Sequence, residues 1–247
     1  SGAVLVDEMR AQAEAAGQIG NDFLLFPTSS YGSGLSGTGG IAFARSLGTW
    51  NVGVAASFRK STEFDAYNIS SRTYTFTPGD ETRARVGVDR MIGNGRLTLG
   101  VSYSAFGQDV ADSTSYATGD RYTGQASILV PLGGTTDLFI SGWNLYRAKG
   151  QQLGGVSSPE NIADGAVTLS FHRGTLLIEP SIEGRGWQVD GVKAGVLASG
   201  ALRLRFSAGP FAIIPTASYQ MGSLYSTIDG SGIDMTGWRT SLMVRLR

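Results

Sequence analysis

The chain has no cysteine, a single histidine and no apolar run long enough for a membrane helix, and each of these absences removes a class of function. Without cysteine there is no disulfide framework, no thiolate nucleophile and no cysteine metal site. That usage suits a chain exported through an oxidising periplasm. Acidic and basic side chains stand at 20 each and the pI is near 6.6, so the basic footprint of a nucleic-acid binder is missing and no nucleic-acid partner is expected. Charged residues make up only 16% of the chain. With no helical span available, any membrane assignment has to rest on strands.

What the chain has in quantity is glycine, 36 residues, and alternation. From Thr82 to Ile92, Ala84, Val86 and Val88 alternate with Arg83, Arg85, Gly87 and Asp89. The chain turns at Gly93-Asn94-Gly95, and Leu97, Leu99, Val101 and Tyr103 then alternate with Thr98, Gly100, Ser102 and Ser104. Period two on both arms of a glycine turn predicts a β-hairpin. Each arm reaches the roughly 9 to 11 residues that a tilted strand needs to cross a bilayer.

The same texture predicts strands near 39–47, 50–60, 121–131, 136–149, 164–173, 175–188, 193–206, 210–226 and 234–247. Short glycine turns are expected at Gly48-Thr49, Gly133-Gly134, Gly174 and Ala208-Gly209, alternating without exception with long links at 60–81, 108–119 and 150–163 and a loop around Asp229. Tight turns at one end and longer loops at the other are the asymmetry of an outer-membrane barrel. Phe23–Gly32, interrupted by Pro27, would be a further first strand, which raises the count from eleven to twelve and puts both chain ends on one side.

Residues 3–20 predict the one helix. Ala, Glu, Gln, Met and Arg favour it, Leu5, Met9, Gln12, Ala16 and Ile19 share a face, and Asp7 and Glu8 lie near the N-terminus. The fold expected is therefore all-β, an antiparallel up-and-down transmembrane barrel of about 12 strands (22–247) behind an N-terminal α-helix (1–21). Ser1-Gly2 has the look of a processing scar, so the sequence is expected to be a mature form or an excised domain.

Two girdles of aromatics fit interfacial anchoring: Trp50, Phe139, Phe171, Phe206 and Phe211 near the short turns, and Phe58, Tyr103, Tyr122, Trp143, Trp187, Tyr219 and Trp238 toward the other ends. Alternation puts Arg59, Arg83, Arg85, Asp89, Gln125, Glu179, Glu183, Arg185, Arg203, Arg205, Gln220, Arg239 and Arg245 toward the lumen. Arginines outnumber acids in that set. Its functional reading is an anion-leaning pore or a cradle for an acidic insert, and Asp7, Glu8 and Glu14 of the leading helix supply such an insert. Its structural reading is a lumen braced by Arg-to-acid pairs.

Several motifs fail on context. Gly32-Ser-Gly34-Leu-Ser-Gly37 spells the dinucleotide pattern, but a strand follows it rather than a helix. Ser170 and His172 stand two apart on one strand face, yet no Asn or Asp is obvious nearby to orient the histidine, so no enzyme activity is expected. Asp109, Asp112, Asp120, Asp229 and Asp234 lie in loops without EF-hand spacing and read as solvated carboxylates. No metal site and no cofactor are expected.

A leading helix followed by about twelve strands resembles the translocator domain of autotransporters, in which a helix threads the barrel. The stretch Gly40-Ile-Ala-Phe-Ala-Arg-Ser-Leu-Gly-Thr-Trp-Asn-Val-Gly-Val-Ala-Ala-Ser-Phe58 looks like the hairpin texture of such domains. The chain departs from them at its end, Val244-Arg-Leu-Arg247, which has no terminal aromatic. The resemblance implies an outer-membrane pore or translocation channel in a Gram-negative-type bacterium, with lipid around it and a passenger or periplasmic domain ahead of it. A small-solute porin, or a membrane anchor for a missing N-terminal domain, are the alternatives.

Overall fold

The structure, a computed structural model, describes residues 35–69, 72–152, 155–225 and 230–246. The expected N-terminal helix, its acids Asp7, Glu8 and Glu14, and the Phe23–Gly32 strand lie outside the described residues. Among those described there is no helix, and so none long and apolar enough to cross a membrane.

Eleven strands form one antiparallel sheet: β1 (Ser36–Leu47), β2 (Trp50–Ser61), β5 (Glu81–Ile92), β6 (Gly95–Phe106), β9 (Arg121–Gly133), β10 (Thr136–Arg147), β13 (Glu160–Arg173), β14 (Leu176–Val189), β15 (Val192–Ala208), β16 (Phe211–Tyr225) and β17 (Gly232–Leu246). Each pairs with the next in this order, so the topology is up and down throughout. β1 and β17 are its edges and, among the described residues, do not pair with each other. The strands run from 12 to 17 residues. That is well above the five or six typical of globular sheets.

Four of the five short turns are built the same way; at the fifth, between β9 and β10, Gly133 (φ 127) and Gly134 (φ 40) are both positive beside a register shift. Gly48, Gly93, Gly174 and Gly209 each take positive φ as the first of two linking residues, while Thr49, Asn94, Thr175 and Pro210 do not, which is the dihedral pattern of a type II′ hairpin turn. At the opposite end of the sheet the expected rule of long loops breaks once. Asp190 (φ 53) and Gly191 (φ 77) join β14 to β15 by two residues alone, both with positive φ as a type I′ turn demands. Asp tolerates that conformation, and valines flank the Asp-Gly pair on both sides, Val189 ending β14 and Val192 opening β15.

The expected long links are themselves folded. β3 (Phe64–Ile69) and β4 (Arg72–Thr77) form a hairpin within 62–80, and β7 (Gln108–Ala111) and β8 (Thr114–Ala117) form one within 107–120. β4 pairs with β7, so two loops join into a four-stranded sheet. β11 (Gly150–Gln152) and β12 (Gly155–Ser157) make a third small hairpin. Phe64 and Phe76 meet edge to face at 5.7 Å within the first of these.

Candidate functional site

Strand pairing fixes which side chains share a face, because residues opposite one another in an antiparallel ladder point the same way. Following the registers from β1 to β17 divides the large sheet into two unlike surfaces. One carries Ile41, Phe43, Val52, Val54, Val86, Val88, Leu99, Val101, Ile128, Ile140, Val167, Ile182, Leu202, Ile213, Leu242 and Val244. Most of these large apolar side chains are exposed. Its charged members, Arg45, Lys60, Arg90, Arg173, Lys193 and Asp234, all stand close to a strand end.

The other surface is polar. All of the residues that alternation assigned to a lumen lie on it: Arg59, Arg83, Arg85, Asp89, Gln125, Glu179, Glu183, Arg185, Arg203, Arg205, Gln220, Arg239 and Arg245. The registers add Glu81, Arg96, Arg121, Asp137, Arg147, Glu160 and Asp164 to the same face. Their parity is the same as their neighbours'. Most of them escaped the sequence reading because they stand at or beyond the strand ends drawn from it; Asp137 and Arg147 lie just inside the strand drawn over 136–149.

Many of these charges pair across strands. Glu81 accepts from both Arg59 (3.2 Å) and Arg83 (2.6 Å). Arg147 meets Glu160 at 2.9 Å and Arg203 meets Glu179 at 2.5 Å, each directly opposite its partner in register. Asp89 accepts from Arg96 and from Asn51, which in turn accepts from Ser46, so one network crosses four strands from β1 to β6. Opposed charges of this kind contribute roughly 0.2 to 1 kcal/mol each where water reaches them.

Arg185 differs by burial. It is 3% exposed, donates to Asp164 and Glu183 at 2.9 Å each, and lies 5.2 Å from the ring centre of Trp143. Beside it Ile162, Trp187 and Ala194 are buried, with Trp143, Leu145, Val189, Leu197 and Leu224 packed against them. This corrects the girdle expectation, since Trp143, Trp187 and Phe139 stand on the polar face and not with the exposed apolar residues. For these three the position along the strand was read correctly and the face was not, while Trp50, Phe58, Tyr103, Tyr122, Phe171, Phe206, Phe211, Tyr219 and Trp238 stand on the apolar face. Aromatics of the apolar face do form rows: Tyr103, Tyr122 and Tyr146 at 5.0 and 6.1 Å, and Tyr219 with Trp238 at 4.8 Å. At the opposite end Arg90 lies 5.0 Å from the ring centre of Trp50.

The acids expected to be solvated are structural where described. Asp109 accepts from the Gly79 N–H (2.6 Å) and the Thr118 hydroxyl (2.8 Å), and Asp112 accepts from the Thr75 N–H (3.0 Å), so both fasten the four-stranded loop sheet. Asp120 accepts from the Tyr103 hydroxyl (2.6 Å) and Asp234 from Ser223 (2.7 Å). Asp229 lies outside the described residues. Among those described, no three His, Asp or Glu side chains gather as a metal site would require.

The histidine reading also changes. His172 Nε2 lies 3.1 Å from Asp137 Oδ2, supplied by the neighbouring strand, so an acid does stand beside the imidazole. Ser170 Oγ donates instead to Glu179 Oε1 at 3.3 Å. The hydroxyl proton is thus aimed at a carboxylate rather than at the ring that a serine hydrolase would need to receive it.

Comparison with known proteins adds no identity. No protein-family model matches the chain, and no curated protein matches it. The functional reading therefore rests on the two faces of the sheet and on the chemistry of the polar one.

Proposed function

We propose that this chain is a barrel of the outer membrane of a Gram-negative-type bacterium, a pore or translocation channel of the autotransporter-like secretion type, with its leading helix as a plug. The observation that carries the reading is the exposed apolar face. Soluble monomers rarely expose contiguous apolar area beyond a few hundred Å², and a face this extensive needs a lipid or protein cover. Strands of 12 residues or more reach across a hydrocarbon core even when tilted, and charges confined to the ends of that face can snorkel to the interface.

Strand direction supports closure by a twelfth strand. β1 and β17 both run toward the short-turn end, so joining them directly would force one parallel pair into an antiparallel meander. A strand running the other way is antiparallel to both. The segment just ahead of β1, Phe23–Gly32, is the stretch whose position in the chain allows this. The polar face then lines the lumen, and Asp7, Glu8 and Glu14 of the helix enter a space bearing arginines.

The paired arginines favour a second reading, a membrane anchor with a packed lumen for an N-terminal passenger, because Arg59, Arg83, Arg185 and Arg203 are neutralised by acids of the same wall. Planar-bilayer recording separates the two. A channel gives discrete conductance steps that grow when residues 1–20 are deleted; an anchor gives none from either chain.

A further inference from the structure

Arginines on the polar face are not equivalent. Arg59, Arg83, Arg96, Arg147, Arg185 and Arg203 each hold a carboxylate. Arg85, Arg205 and Arg245 have no acid partner among the described residues, and of these Arg85 stands mid-strand in β5, whereas Arg205 and Arg245 lie close to the ends of β15 and β17. Directly opposite Arg85 stand Ala55 of β2 and Ser102 of β6, and Gly87 follows it on the same face. The nearest acids along its strand are Glu81 and Asp89, four positions away on either side, which is about 13 Å at 3.3 Å per residue. That exceeds the roughly 8 to 10 Å over which exposed charges are felt at physiological ionic strength. Both acids are already held, Glu81 by two arginines and Asp89 by Arg96 and Asn51.

Space accompanies the charge. One half-open recess of about 120 Å³ is bounded by Arg85, Gly100, Val101, Ser102, Thr123 and Gln125. A second, an open recess of about 320 Å³, is bounded by Arg85 with Ala42, Ala44, Gly53, Ala55 and Gly87 and reaches Phe43 and Val54. Arg85 lines both. Around Arg85 the middle of the wall from β1 to β6 is bare because the side chains there, such as Ala44, Gly53, Ala55, Gly87 and Gly100, are small, whereas the wall from β10 to β16 carries Trp143, Ile162, Trp187, Leu197 and Leu224. Open volume and unbalanced positive charge therefore coincide on one side of the sheet.

We propose that Arg85 is the anion-recruiting residue of the passage, drawing small anions and carboxylate or phosphate groups along the bare wall of β1, β2, β5 and β6. The inference rests on the polar face lining an aqueous lumen. It assigns selectivity to one side chain where composition alone spreads it over many.

The chain has no cysteine, so a thiol introduced at Ser102, opposite Arg85, is unique. The full-length Ser102→Cys chain, folded in lipid vesicles, is reacted with sulfonatoethyl methanethiosulfonate and with trimethylammonioethyl methanethiosulfonate. Each rate is divided by that of a free thiol in solution. The expected result is a preference of roughly tenfold or more for the anionic reagent, the size of effect that a focused field exerts on encounter. Adding Arg85→Gln should bring the ratio to near one, and adding Arg85→Lys should retain the preference. Equal rates in the Ser102→Cys chain overturn the role of Arg85 while leaving an aqueous lumen standing. That result is also the one expected if acids of the leading segment neutralise Arg85. No reaction with either reagent overturns the lumen as well.

Discussion

Arginine placed at Val101 and at the adjacent Ser102 should have opposite consequences, because adjacent residues of a strand lie on opposite faces. Val101 is 60% exposed, sits midway along β6, and has Val86 and Gly124 as its cross-strand neighbours on the apolar face. Ser102 lies between Arg85 and Thr123 on the polar face. A guanidinium at mid-depth against lipid costs about 2 to 4 kcal/mol. At Ser102 the added charge meets Arg85 across one strand spacing in water, an interaction of about 1 kcal/mol or less. The difference of about 2 kcal/mol corresponds to roughly thirtyfold in the folded-to-unfolded ratio. Urea titration of the two variants refolded into vesicles, followed by gel mobility of unheated samples, reads this directly. Val101→Arg should lose its compact band at distinctly lower urea than Ser102→Arg. Equal midpoints, or a lower midpoint for Ser102→Arg, would refute the assignment of faces.

Other outcomes follow from the paired charges and the loops. Arg185→Ala leaves Asp164 and Glu183 together without their cation and should cost about 3 to 5 kcal/mol in urea titration, while a triple replacement by Met, Asn and Gln at 185, 164 and 183 should recover most of it. Asp109→Ala removes the acceptor of Gly79 and Thr118, so limited proteolysis should cut within 62–80 and 107–120 while the large sheet stays intact. Gly174→Val forces a β-branched residue to positive φ at a two-residue turn and should slow or lower refolding measurably more than Thr175→Val. Cysteines placed in pairs between 23–32 and β17 should crosslink if that segment closes the sheet, and failure at every register would remove the twelfth strand.

The large sheet was legible because its information is local. Period two along 82–92 and 97–104, and a glycine at each short turn, specify strand, face and turn without knowledge of any distant residue. Parity alone placed Arg83, Arg203 and Arg239 on a common face from strands far apart in the chain. The loops were not legible for the opposite reason. Thr77 of β4 pairs with Val110 of β7, a contact across 33 positions that no window along the chain contains, and the Pro78-Gly79-Asp80 turn signal masked the short strand before it. Trp143 and Trp187 misled because girdle position depends on distance along the strand, whereas their neighbours Asp164 and Arg185 reveal the face. The same holds at His172, whose acid neighbour comes from β10 and is visible only once the strands are paired.

Nitroxide scanning from 97 to 104 on β6 in lipid vesicles tests the central claim most directly. The account predicts that labels at 97, 99, 101 and 103 are relaxed by oxygen, which partitions into lipid, while labels at 98, 100, 102 and 104 respond to a water-soluble nickel chelate. Chelate access on both sets, or no two-residue alternation, would contradict a sheet that spans a bilayer with lipid on one face and water on the other.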